Sequence, residues 1–119
     1  AILPPGCGME EKYYLAMWKE GAPAAVLDLV EGYPRERTLF VGLFFLSPAL
    51  RGQGTGRQIM EAVLGAAKGA GLDSVRLACL MDNKAGHAFW RALGFGDLRE
   101  DVHLMGENSA PVWIMERLI

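Results

Sequence analysis

Leu50-Arg51-Gly52-Gln53-Gly54-Thr55-Gly56-Arg57 is the stretch whose reading decides the fold of this chain. It lies between an apolar run, Leu39 to Leu46, and an amphipathic run, Gln58 to Lys68. In physical terms this is a strand, a bend at Ser47-Pro48, a glycine-spaced loop and the start of a helix. A helix start carries backbone N–H groups without intrahelical partners and a partial positive charge. Glycines at positions 52, 54 and 56 carry no Cβ to hold a ligand off those groups, so the loop suits a phosphate or pyrophosphate.

Two familiar anion loops fail against it. A P-loop needs Lys and then Ser or Thr after its last glycine, and here Arg57 and Gln58 follow Gly56. A dinucleotide fingerprint needs its glycines directly after a strand, with a third glycine where Ile59 stands.

The bulk properties narrow the class. With 119 residues the chain is expected to form one domain, residues 1–119, around a single core. Its 51% hydrophobic and 22% charged content is that of a globular protein and not of a disordered one. A net charge of −2, with no basic stripe and no interleaved aromatics, argues against nucleic acid and mildly favours an amine-bearing substrate. Cys7 and Cys79 form no C-x-x-C and join no His/Cys cluster, so neither a metal nor a disulfide framework is expected, and a reduced cytoplasmic setting is. Leu39–Leu46 is far shorter than a membrane-crossing helix, and the first six residues lack the basic and apolar regions of a signal peptide, so no membrane partner is expected.

Along the chain, the Pro- and Gly-rich residues 1–11 read as irregular lead-in. Lys12–Trp18 and Ala24–Val30 read as antiparallel strands, and Leu39–Leu46 as a central strand buried on both faces. A helix follows from about Gly56 to Lys68, with Ile59, Met60, Val63, Leu64 and Ala67 on one face. Ser74–Met81 reads as a strand parallel to Leu39–Leu46, because a helical crossover joins them. Asn83 caps a second helix that runs to Leu93, with an apolar stripe of Ala85, Ala88, Phe89, Ala92 and Leu93. Asp97–Met105 and Val112–Ile119 close the sheet around a turn at Gly106–Ser109. The expected class is α+β, a mixed and mostly antiparallel sheet flanked by helices in the order β-β-β-α-β-α-β-β.

A third anion loop does fit. R/Q-x-x-G-x-G/A after a strand and a proline bend resembles the acyl-CoA loop of the GNAT N-acetyltransferases, with Arg51, Gly54 and Gly56 in place. Asn83-Lys-Ala-Gly-His-Ala-Phe-Trp-Arg-Ala-Leu-Gly-Phe95 resembles the same family's N-x-x-A-x-x-[FL]-Y-x-x-x-G-F segment. The resemblance covers residues 12 to 119 and implies the GNAT fold from its second strand onward. Family members usually begin with another strand and two helices, for which the numbered chain has no room. That part precedes Ala1, or comes from a partner, or is absent from a protein that binds acyl-CoA without efficient catalysis. Trp90 stands where a Tyr usually protonates the departing thiolate, and an indole N–H is no acid at neutral pH.

The chemistry the resemblance implies is direct acetyl transfer from acetyl-CoA, without a metal, to an amine-bearing small-molecule or peptide acceptor. The amides of Gly52, Gln53, Gly54, Thr55, Gly56 and Arg57 would hold the pyrophosphate, with Arg51 and Arg57 adding charge. Backbone groups at Phe45, Leu46 and Ser47 would meet the pantetheine chain, and the Leu46 N–H would bind the thioester oxygen. Asn83 and Phe89 would line the other wall. Asp28, a charge inside an apolar strand, is the first candidate base and Glu31 the second. A non-catalytic acyl-CoA-binding or interaction module is the alternative reading.

Other readings stay open beside these. Asp28 reads equally as a solvent-facing strand residue, and Asn83 equally as a pure helix cap. Phe89 is core or wall or both, and Trp90 is a packed edge residue or a cleft lining. His87 and His103 read as lone structural or solvated residues, and Cys79 as a small core hydrophobe. The exposed aromatic strand Tyr13–Trp18 points to a homodimer.

Overall fold

The computed structural model describes residues 11–105 and 108–119. Its elements run β1 (Glu11–Lys19), β2 (Ala22–Glu31), β3 (Thr38–Leu46), a 3₁₀ turn (Pro48–Leu50), α1 (Thr55–Gly69), β4 (Ser74–Leu80), α2 (Lys84–Ala92), β5 (Gly96–Met105) and β6 (Asn108–Leu118). The six strands form one sheet in the order β1-β2-β3-β4-β6-β5. Among the described residues only β3 and β4 run parallel, as the helical crossover between them requires.

Both helices contribute to one core. Met60, Leu64 and Ala67 from α1 join Trp90 from α2 and the adjoining Leu93 over alternate residues of the strands: Leu27 and Leu29, Leu39 and Val41, Val75, Leu77 and Cys79, and Met115. The period of two along each strand puts all of these on the same face of the sheet. Each fully buried large side chain in that layer contributes roughly 1.5–3 kcal/mol. Beneath the start of the parallel pair, the buried hydroxyls of Thr38 and Ser74 meet at 2.8 Å, and Arg35 spans them to reach Glu116.

Four expectations change. The strand Leu39–Leu46 is buried only to Val41, and Leu43 and Phe45 are exposed. The cause is pairing: β3 meets β4 only from Thr38↔Ser74 to Val41↔Leu77, and past that point the neighbour is gone. The second helix buries Trp90, with Leu93 just beyond its end, while Ala85, Ala88 and Ala92 face outward. Indole and phenyl rings, with far more apolar area than alanine, set the rotation of this short helix. Ser109 belongs to β6, which starts at Asn108, so the last strand is longer than its apolar pattern suggested. The other half of that expected turn, Gly106 and Glu107, lies outside the described residues, as does the lead-in before β1, whose last residue, Glu11, already pairs with β2.

Candidate acyl-CoA cleft

The site begins where β3 and β4 part. Antiparallel strands present alternate residues' N–H and C=O groups to opposite neighbours. Ser47 donates its N–H to Ala24 O of the β2 side at 2.8 Å. By alternation Phe45 also turns its backbone toward β2, whereas Phe44 and Leu46 turn theirs toward the gap left by β4. The Leu46 carbonyl on that side accepts from Arg51 Nε at 3.0 Å. Of the three backbone positions expected at the thioester, the structure therefore brings Leu46 to the gap and engages Ser47 elsewhere. Phe44 joins Leu46 there, a residue that sequence reasoning passed over because strand alternation needs a known partner to set its phase.

A bulge marks the parting. β2 and β3 pair Asp28 with Leu43 and Leu29 with Val41, which leaves Gly42 as the extra residue. Asp28 lies against it: a Cβ on Gly42 would stand 3.6 Å from Asp28 Cγ and 3.8 Å from Oδ1. Asp28 and its partner Leu43 are on the sheet face away from the helices. Asp28 Oδ2 is 3.3 Å from Lys12 Nζ, and Oδ1 is buried with no hydrogen bond among the described residues. Glu31 is not brought near. It pairs with Leu39 at the other end of β2, about 20 Å along the strand from Leu46 by the strand rise, and lines a groove beside α1 instead.

On the helix face, a cleft of about 520 Å³ runs from Phe44 and Leu46 past the glycine loop to α2. Arg51, Gly52, Gly54, Gly56 and Arg57 line one wall; Asn83, Gly86, Phe89 and Trp90 line the other. The first helical hydrogen bond of α1 is Gln58 N–H to Gly54 O at 3.0 Å, so the N–H groups of Thr55, Gly56 and Arg57 stand ahead of the helical ladder. The helix has no side-chain cap. Its amides are thus left for an external acceptor, at the end where the dipole is positive.

The three glycines have different reasons to be there. Gly52 and Gly54 have φ of +75° and +81°, and nothing lies within 4 Å of a Cβ added to either. Only glycine enters that left-handed region without strain. Gly56 is buried instead, and a Cβ there would meet the Phe89 ring at 3.2 and 3.3 Å. The first two shape the loop and keep its mouth open; the third lets α1 and α2 close on each other.

The side chains around the loop are already engaged. Gln53 Nε2 donates to Ala49 O at 2.7 Å, and Arg57 Nε donates to Glu61 Oε1 at 3.0 Å. Asn83 caps α2 by accepting from the Gly86 N–H at 2.9 Å, and it also faces the cleft. Phe89 is half-buried and packs its ring 4.9 Å from Trp90, which in turn meets Phe44 and Phe95 at 5.8 and 5.3 Å. Trp90, 8% exposed, is both core and wall.

His87 has partners after all. Its Nε2 is 2.7 Å from Asp97 Oδ1, and its ring stacks on Trp113. Burial raises the pKa of the Cys79 thiol, and the Asp97 charge raises it further. The side chain of His103 and all of Cys7 lie outside the described residues. Among the described residues, no group of three or more His, Cys, Asp or Glu side chains is placed to hold a metal ion, and no helix is long and apolar enough to cross a membrane.

No curated protein matches the sequence directly. Solved structures do match in fold. Ard1 from Thermoplasma volcanium superimposes with a TM-score of 0.76 at 20% identity, over 89% of this chain and 70% of that one. The ribosomal-protein-S18-alanine N-acetyltransferase from Escherichia coli gives 0.73 at 20% identity, over 89% and 69%. An acetyltransferase from Bacillus subtilis in complex with CoA gives 0.69 at 15% identity, over 92% and 77%. The model of the acetyltransferase (GNAT) family matches residues 5–95, about three quarters of the 119-residue sequence. With its strand order, parted parallel pair and glycine loop, the chain belongs to the GNAT acetyltransferase family.

Proposed function

We propose that the chain transfers an acetyl group from acetyl-CoA to a primary amine of a small molecule or peptide. The observation that carries this reading is the parting of β3 and β4 at Gly42, between the open amides of α1 and the wall of α2. Acetyl-CoA supplies an activated thioester carbonyl. The residues that would hold it are this chain's own: the Thr55, Gly56 and Arg57 amides for the diphosphate, with Arg51 beside them, and Phe44 and Leu46 backbone groups for the pantetheine. Loss of Gly52 or Gly54 would place a Cβ in that loop, so the residues present fit the group.

The Leu46 N–H, turned into the gap, is the donor for the thioester oxygen. Most amines arrive protonated, and Asp28 is the acceptor for that proton. Lys12 lies against one carboxylate oxygen, and the other, against the bulge, is buried with no hydrogen-bond partner among the described residues. Trp90 has no acidic proton to give, so solvent protonates a thiolate whose parent thiol has a pKa of about 8.5.

The buried, ring-packed Trp90 also favours a second reading, an acyl-CoA-binding module without turnover. Calorimetric titration with acetyl-CoA and CoA, followed by thiol release against a panel of amines, separates the two. Binding with turnover of an amine supports the transferase. Binding without turnover supports the module, and no binding of either nucleotide removes both.

A further inference from the structure

We propose that a second, polar groove at the far end of the cleft binds the phosphomonoester of the coenzyme's nucleotide, the 3′-phosphate of CoA, through the guanidinium groups of Arg57 and Arg117. This site rests on the acyl-CoA reading and adds to it a contact that the diphosphate does not make. The groove holds about 340 Å³ between the first turns of α1 and the end of α2, with Arg57, Glu61, Leu93, Gly94 and Arg117 on its walls. Arg57, Ala92 and Leu93 also line the cleft, so the two spaces adjoin.

Direction decides what reaches it. The pantetheine end of the coenzyme goes to Phe44 and Leu46 at the gap, and the diphosphate to the open amides of α1. The nucleotide lies on the other side of the diphosphate, so it leaves past Arg57, where α1 and the end of α2 flank the groove. That nucleotide carries a phosphomonoester on its ribose, a group with a charge of about −1.5 to −2 at pH 7 and several strong acceptor oxygens. Guanidinium forks match such a group in both shape and charge.

Both guanidiniums are placed for it. Arg117 pairs with Val75 across β6 and β4, two residues beyond the buried Met115, which sets it on the helix face of the sheet. Its Nη1 donates to Leu93 O at 2.6 Å, and its stem lies against Gly94, where an added Cβ would stand 3.5 Å from Cδ. The side chain is therefore partly buried and already ordered, so holding a ligand costs it little further entropy. Arg57 donates from Nε to Glu61 Oε1 at 3.0 Å, and its two Nη groups have no partner among the described residues. Glu61 is the one acid on the described walls, so two guanidiniums face one carboxylate and the groove is net positive.

Calorimetric titration with CoA and with 3′-dephospho-CoA tests the proposal, with circular dichroism to verify folding. The parent is expected to bind CoA about tenfold or more tighter than dephospho-CoA, and added salt should shrink that ratio. Arg57→Gln removes only an exposed pair with Glu61 from the fold, and it should cut the ratio by roughly threefold or more. Arg117→Gln should cut it likewise. The ratio is the readout, because a loosened α2 or a damaged diphosphate site weakens both coenzymes alike. Inorganic phosphate, titrated alone, tests the groove for a free anion. Equal affinity of the parent for the two coenzymes, or a preference that neither variant reduces, would overturn the proposal. Phosphate held through these arginines beside equal coenzyme affinities would overturn it too, in favour of a free-anion site. If neither coenzyme binds, the acyl-CoA reading itself fails and this site with it, so the two failures are told apart.

Discussion

Gly54→Leu tests whether the amides at the start of α1 hold the diphosphate. Gly54 is the residue before the helix, at φ +81° and ψ 0°, and a Cβ added there meets nothing within 4 Å. The substitution causes no steric clash inside the protein, so its stability cost is the left-handed backbone alone, about 1–2 kcal/mol. For a domain of this size that lowers Tm by roughly 4–8 °C per kcal/mol and leaves it folded. Gly54 lines the cleft, so the added side chain would take up space that the diphosphate is proposed to fill. A charge-assisted hydrogen bond contributes about 1.5–3 kcal/mol, so blocking two should weaken CoA binding by roughly 10²–10⁴-fold. Calorimetric titration with CoA measures the loss, and chemical denaturation confirms the fold. Gly56→Ala is the contrast: its Cβ would press on the Phe89 ring at 3.2 Å, so it costs packing energy of about 1–3 kcal/mol. A folded Gly54→Leu variant that binds CoA as the parent does would refute the assignment of those amides.

Three further outcomes are expected. Asp28→Asn should lower kcat/KM at neutral pH by roughly 10²–10⁴-fold, partly recovered as rising pH frees the amine, with CoA affinity unchanged; full activity at every pH removes Asp28 as the base. Trp90→Ala should cost about 3–5 kcal/mol in denaturant unfolding, because the indole is packed against Phe44, Phe89 and Phe95. Cys79 carries a raised thiol pKa in the folded chain, from burial first and Asp97 second. Its stabilising contribution is complete below the unfolded thiol's pKa and is lost as pH rises from there through the folded value. Stability should therefore fall on the alkaline side, and Cys79→Ala should flatten that limb of the pH–stability curve.

Local patterns announce themselves in one dimension. The glycine loop, the Ser47-Pro48 bend, the Asn83 cap and the apolar periods of α1 could all be read because turns, caps and amphipathic faces depend on neighbours a few residues away. Element order followed, and with it the parallel pairing of β3 with β4, since a crossover helix leaves little choice. Asp28 also stood out early, as a charge in an apolar strand.

What the chain could not reveal before folding depends on partners distant in sequence. Where β3 loses β4 is decided by two strands joined through α1, and that point divides a buried Val41 from an exposed Leu43. The phase of backbone alternation that turns Leu46 and Phe44 into the gap follows from the Ser47 bond to Ala24. The separate duties of the glycines became visible only when Phe89 of α2 arrived against Gly56. Glu31 and Asp28 looked alike as acids on one strand; three residues and the opposite face of a pleat set them apart. Sequence alone determined the loop's capacity for an anion, because unpaired amides are a property of any helix start. Tertiary structure decided what stands across from it, because side-chain contacts between strands and helices are set by long-range pairing.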